Sequence, residues 1–136
     1  MKEQTLSANR FAAAVAYRLN EIVPVGFSVR ANGCSVDVYT ASDDRHASAA
    51  ASIVMERDGR SLAELVQLAA WAILNGAQDS VIEMLREQWP LGPNGRVAEP
   101  AARVEGELLL MWFGKEDQPV IRLSPVSVGE ITEGAA

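Results

Sequence analysis

Phe27-Ser-Val-Arg-Ala-Asn-Gly-Cys-Ser-Val-Asp-Val38 alternates apolar and polar residues on either side of Asn32-Gly33, which commits this part of the chain to an antiparallel hairpin. Asn-Gly accepts the positive φ angles of a two-residue turn whose twist matches that of paired strands. Such a turn sets Ala31 opposite Cys34, Arg30 opposite Ser35, Val29 opposite Val36 and Ser28 opposite Asp37. Phe27, Val29, Ala31, Cys34, Val36 and Val38 then share one face, and Ser28, Arg30, Ser35 and Asp37 share the other. A slip of one residue would bury the polar set, so the choice of face is strongly specified.

Working outward, Ser7 to Val23 reads as a helix. Ser7 can cap it, Phe11, Val15, Leu19 and Ile22 recur at helical spacing, and Pro24 stops it. Beyond the hairpin, Ala41 to Arg45 is a polar turn. Ala49 to Arg57, with Ile53 and Val54 before Asp58-Gly59, is expected as a third strand, with an alanine-rich helix as the alternative. Ser61-Leu-Ala-Glu64 is a capping box opening a helix from Leu62 to Leu74 that is apolar almost all round. Gly76 is expected to break it, with a second helix starting at Asp79 or Ser80, where Ser80-Val-Ile-Glu83 is a second capping box, because one helix from Leu62 to Gln88 would run about 40 Å in a domain whose radius of gyration is about 14 Å. Leu91 to Pro100 is turn-rich. Val104 to Phe113 and Val120 to Leu123 form a second strand pair, the first apolar on both faces.

The expected architecture is α+β, a small antiparallel sheet of four or five strands with helices packed on one face. The order is α-β-β-(β)-α-α-β-β, and residues 125–136 are expected to be a flexible acidic tail. At the level of fold, this order resembles the α-β-β-β-α-β-β module of type III secretion chaperones and related small dimeric proteins. One domain accounts for all 136 residues.

Twelve basic and eighteen acidic side chains leave a net charge of −6, which disfavours nucleic acid and anionic membranes as partners. A single cysteine forms no internal disulfide. The polar start MKEQTLSANR does not read as a secretory signal, and the most apolar segment is too short to span a bilayer, so the expected location is the cytoplasm. Ten arginines against two lysines, with abundant alanine, suggest a GC-rich bacterial genome.

The residue types that carry chemistry are scattered. Cys34 and His46 are the one thiol and the one imidazole, and the hairpin separates them by about 20 Å at 3.3 Å per residue. Asp43-Asp44-Arg45-His46 lacks the spacing of a metal loop, and the acid pairs Glu83/Glu87, Glu105/Glu107 and Glu116/Asp117 read as solvated surface. Gly92-Pro-Asn-Gly95 has the spacing of an RNA-clamping loop, but its proline removes an amide and Arg96 is its one nearby cation. No catalytic, cofactor-binding or metal-ligating set emerges, and no cofactor is expected.

What stands out is apolar surface in excess of one small core. Leu68, Ile73, Trp89, Leu109, Met111, Trp112 and Phe113 are therefore the candidates for an interface. The expected function is a non-enzymatic protein-interaction module of adaptor, chaperone or immunity type. It is expected to pair with itself as a homodimer and to reach a further protein in turn. The alternative is a small-molecule binder or enzyme with a pocket between helix and sheet, using Arg30, Asp37 and Arg122.

Overall fold

The computed structural model describes residues 5–40, 46–48 and 59–133. Their order is β1 (Thr5–Leu6), α1 (Ala8–Asn20), β2 (Phe27–Asn32), β3 (Ser35–Thr40), β4 (His46–Ser48), α2 (Leu62–Leu85), β5 (Pro100–Glu105), β6 (Leu108–Lys115), β7 (Gln118–Arg122), β8 (Val126–Ser127), α3 (Val128–Ile131) and β9 (Thr132–Glu133). The fold is α+β with antiparallel sheets. Its strands divide into a three-stranded sheet β2-β3-β4, a sheet β5-β6-β7 with β8 also paired to β6, and the short pair β1-β9.

The first hairpin forms with its faces as expected and its register moved by two residues. Asn32 pairs with Ser35, Ala31 with Val36 and Val29 with Val38, so Gly33 (φ +63°) and Cys34 make the turn. Because a two-residue shift keeps each side chain on its own face, Val29, Val36 and Val38 are still buried. Cys34, displaced into the turn, is exposed. β4 pairs Tyr39 with His46 and Asp37 with Ser48. The strand expected at Ala49 to Arg57 and the acidic turn at Asp43-Asp44 lie outside the described residues.

α1 begins as expected at Ser7, whose Oγ accepts the Arg10 N–H at 3.4 Å, and ends at Asn20. Asn20 Oδ1 accepts the Val29 N–H at 2.8 Å, which closes the free side of β2.

α2 corrects the expectation of two helices. It runs unbroken through Gly76 for 24 residues, about 36 Å at 1.5 Å per residue. A glycine inside a helix costs roughly 1 kcal/mol, whereas Ile73, Leu74, Ala77 and Val81 on either side of Gly76 are at most 1% exposed and hold the helix on the core. Ser80, expected as a cap, is buried in mid-helix. At the true start the capping box is complete: Ser61 N–H donates to Glu64 Oε1 at 2.8 Å, and Ser61 Oγ accepts the Glu64 N–H at 3.1 Å.

The second sheet contains a strand that the turn-rich reading of Leu91 to Pro100 and the single long strand from Val104 passed over. β5 and β6 pair from Pro100–Phe113 to Glu105–Leu108, and the chain reverses at Gly106 (φ +61°) and Glu107. Between β6 and β7 the register shifts at Phe113/Gly114. Gly114 sits at φ +108°, where a Cβ would meet the Val120 nitrogen at 3.0 Å, so only glycine fits this bulge without strain.

The stretch expected as a flexible tail is packed instead, from Val126 to Glu133. Val126 and Ile131 are fully buried, and β9 pairs with β1 through Thr5–Glu133 and Leu6–Thr132. Three contacts strap this segment to α1. Ser7 N–H donates to the Ile131 carbonyl at 2.9 Å, Arg10 Nη1 donates to the Thr132 carbonyl at 3.1 Å, and Arg18 pairs with both Glu130 oxygens at 3.0 and 3.2 Å. The apolar residues Val126, Val128 and Ile131 supply the drive, and the acidic residues Glu130 and Glu133 are exposed. No helix among the described residues is long and apolar enough to cross a membrane.

Candidate functional site

α2 presents two exposed apolar residues, Leu68 and Trp71, on its outward flank, while most of its other apolar side chains are turned to the core. Leu65, Val66, Ala69, Ala70, Ile73 and Leu74 turn inward, and two glutamines fix the rotation of the helix about its axis. Gln67 Oε1 accepts the Val104 N–H at 2.8 Å and Gln78 Nε2 donates to the Ala98 carbonyl at 2.6 Å, so both reach backbone in or just before β5. These bonds satisfy groups along the side of β5 that faces away from β6. With that flank committed, the outward residues are Glu64, Leu68, Trp71, Asn75 and Asp79, half-buried or exposed. Leu68 is 46% exposed and Trp71 45%. Glu64, Leu68, Trp71 and Asn75 follow the three-and-four spacing of a helix seam.

Of the sequence-derived interface candidates, the structure leaves Leu68 outside. Ile73, Leu109, Met111 and Phe113 are completely buried within the protomer, and Trp89 packs its ring 5.4 Å from that of Phe113. Their apolar character serves the core, which is larger than the sequence suggested because two sheets and a 24-residue helix converge on it. Trp112 stands apart. Leu109, Met111 and Phe113 face the core, so Trp112 lies on the opposite face of β6, between Ala101 of β5 and Arg122 of β7 in the register. It is 8% exposed, and its Nε1–H is buried with no hydrogen-bond partner. Leu110 beside it is half-buried and Leu108 43% exposed. Trp71 is an exposed aromatic that those candidates leave out. Its signal was the seam spacing from Leu68, hidden because nearly every neighbour on the helix is apolar.

The groups considered for a pocket between helix and sheet are dispersed. Arg30 stacks over the Tyr39 ring at 4.8 Å, Asp37 is buried and accepts from Asn32 Nδ2, and Arg122 is exposed on the other sheet. Asn32 Nδ2 also donates to the Tyr39 hydroxyl at 3.0 Å, so these side chains tie β2 to β3. Cys34 lies at the hairpin turn, while His46 pairs with Tyr39, five residues further along β3. Among the described residues no three His, Cys, Asp or Glu side chains gather as metal ligands would.

One titratable group on this face is clearly displaced. Glu64 has its pKa lowered because it accepts the Ser61 backbone N–H and the Ser61 hydroxyl, with Arg60 nearby adding attraction for the carboxylate. In comparisons with protein-family models, with curated proteins and with solved structures, nothing matches this chain.

Proposed function

We propose that the protein is a non-enzymatic interaction module that works as a homodimer, its two copies meeting along the outward seam of α2. The observation that carries this is the pair Leu68 and Trp71, one turn apart and each nearly half exposed beside a filled core. A tryptophan and a leucine held on a rigid helix are the material of an interface hot spot.

The charges along the helix favour an antiparallel second copy. With the two-fold axis between Leu68 and Trp71, Leu68 meets the partner subunit's Trp71 and Glu64 meets the partner subunit's Asn75. Arg60, just before the helix, meets the partner subunit's Asp79. A two-fold arrangement makes each of these contacts twice. A parallel arrangement would set Glu64 against its own copy, which like charge opposes.

Light scattering and native mass spectrometry at micromolar concentration test the proposal. The expected result is a dimer that Leu68→Glu converts to a folded monomer with an unchanged circular dichroism spectrum. Arg60→Glu should weaken the dimer about two- to thirtyfold, since two exposed ion pairs of roughly 0.2–1 kcal/mol each are lost, and Asp79→Arg in the same chain should restore it. A monomeric parent, or a dimer indifferent to Leu68→Glu and Trp71→Glu, would overturn the proposal.

A further inference from the structure

A hollow of about 990 Å³ lies beyond the C-terminal end of α2, between the turn at Gly92–Val97 and the β6-β7 hairpin. Its volume falls at the top of the ~300–1,000 Å³ range of small-molecule sites. Two bonds shape the turn: Gly92 N–H donates to the Arg96 carbonyl at 2.7 Å and Gly95 N–H to the Gly92 carbonyl at 3.1 Å. Gly114 N–H donates to the Glu99 carbonyl at 2.8 Å and holds the hairpin against the strand that leaves the turn. Val97, Ala98 and Val120, buried or half-buried, line it with apolar surface. Arg96 and Lys115 are exposed on its rim, with the amides of Gln88 and Gln118.

The charges here run against the rest of the chain. The protein carries −6 overall and has two lysines, of which Lys115 is one, yet two cations face this hollow against the single carboxylate of Glu99. Arg18 and Arg103 are engaged by Glu130 and by Glu105 and Glu116, whereas no ion pair holds Arg96 or Lys115 among the described residues. Apolar surface beneath a rim of two cations and two amides suits a molecule with an apolar body and an anionic end. We infer that this hollow binds a small organic anion, an aryl or acyl group bearing a carboxylate or a phosphate. The site lies away from Leu68 and Trp71 and does not depend on how α2 is used.

Amide proton–nitrogen correlation spectra recorded during titration test the inference with three probes: 4-phenylbutyrate, phenyl phosphate and the neutral benzyl alcohol. Saturable shifts are expected at Gly92, Gly95 and Gly114 with at least one of the anions, and the stronger anion tells carboxylate from phosphate. The alcohol should bind more weakly. Arg96→Glu with Lys115→Glu should cost about tenfold in affinity or more while spectra away from the hollow stay unchanged, and Leu68→Glu should leave binding intact. Three outcomes would overturn the inference: no shift at these glycines up to about 10 mM of either anion, equal binding of the alcohol, or affinity unaltered in the folded double variant.

Discussion

Glu64 acts at the smallest scale, where one carboxylate closes the first turn of α2 on Ser61. Its pKa is lowered in the folded state, so its contribution to stability is present above the ordinary glutamate pKa and is lost as pH falls through the lower folded value. Glu64→Gln should therefore lower the melting temperature slightly at pH 7, where the contribution is present, and the difference from the parent should close below about pH 5; a difference that does not change with pH in thermal melts would count against the capping role. This residue was legible in the sequence because a capping box is a local device, complete within four positions. The Asn32-Gly33 turn was legible in kind but not in register. Gly33 takes the positive φ that the turn needs, and the polar side chain of Asn32 is better employed bonding Asp37 and Tyr39 than standing in the turn. Such bonds between strands are invisible in a linear pattern.

Among the elements, α2 shows where local signals lose to tertiary ones. Gly76 and the Ser80-to-Glu83 spacing both spoke for a break, yet burial around them outweighs the cost of a single glycine. Gln67 lies within the expected apolar helix and Gln78 in the expected break between two helices, but their partners lie 37 and 20 positions away in the chain. Gln78→Ala leaves the buried Ala98 carbonyl without a donor and should cost about 1–3 kcal/mol, measured by urea denaturation. Gln67→Ala, at a less buried site, should cost about 0.5–1.5 kcal/mol. β5 was missed because Pro100, Ala101 and Ala102 have little β propensity; pairing with the strongly apolar β6 recruits them. Edge protection is likewise divided among elements: Asn20 serves β2, the glutamines serve β5, and Pro119 with the Gly114 bulge blunts β7.

For the whole molecule, the α+β class was legible from periodicity, whereas the division of its strands between two sheets was not. Neither was the division of apolar residues between core and surface. Ile73 and Leu68 look alike in sequence, and only the rotation of α2 sets one inside and the other outside. The packed C-terminal segment has a large predicted effect. Ending the chain after Ser124 removes Val126, Val128 and Ile131, each worth about 1.5–3 kcal/mol when buried, a sum comparable to the whole stability of about 5–15 kcal/mol. The shortened chain should lose its cooperative thermal transition in circular dichroism, and retention of a sharp transition near the parent temperature would refute that role. The β1-β9 pair has a mechanical consequence as well. Thr5 and Glu133 lie side by side on antiparallel strands, so tension applied through the two flanking ends loads the ladder one bond at a time, as a zip is opened, rather than all at once in shear. Under load the molecule would yield first at this seam, releasing β9 and α3 while the sheets and α2 still hold.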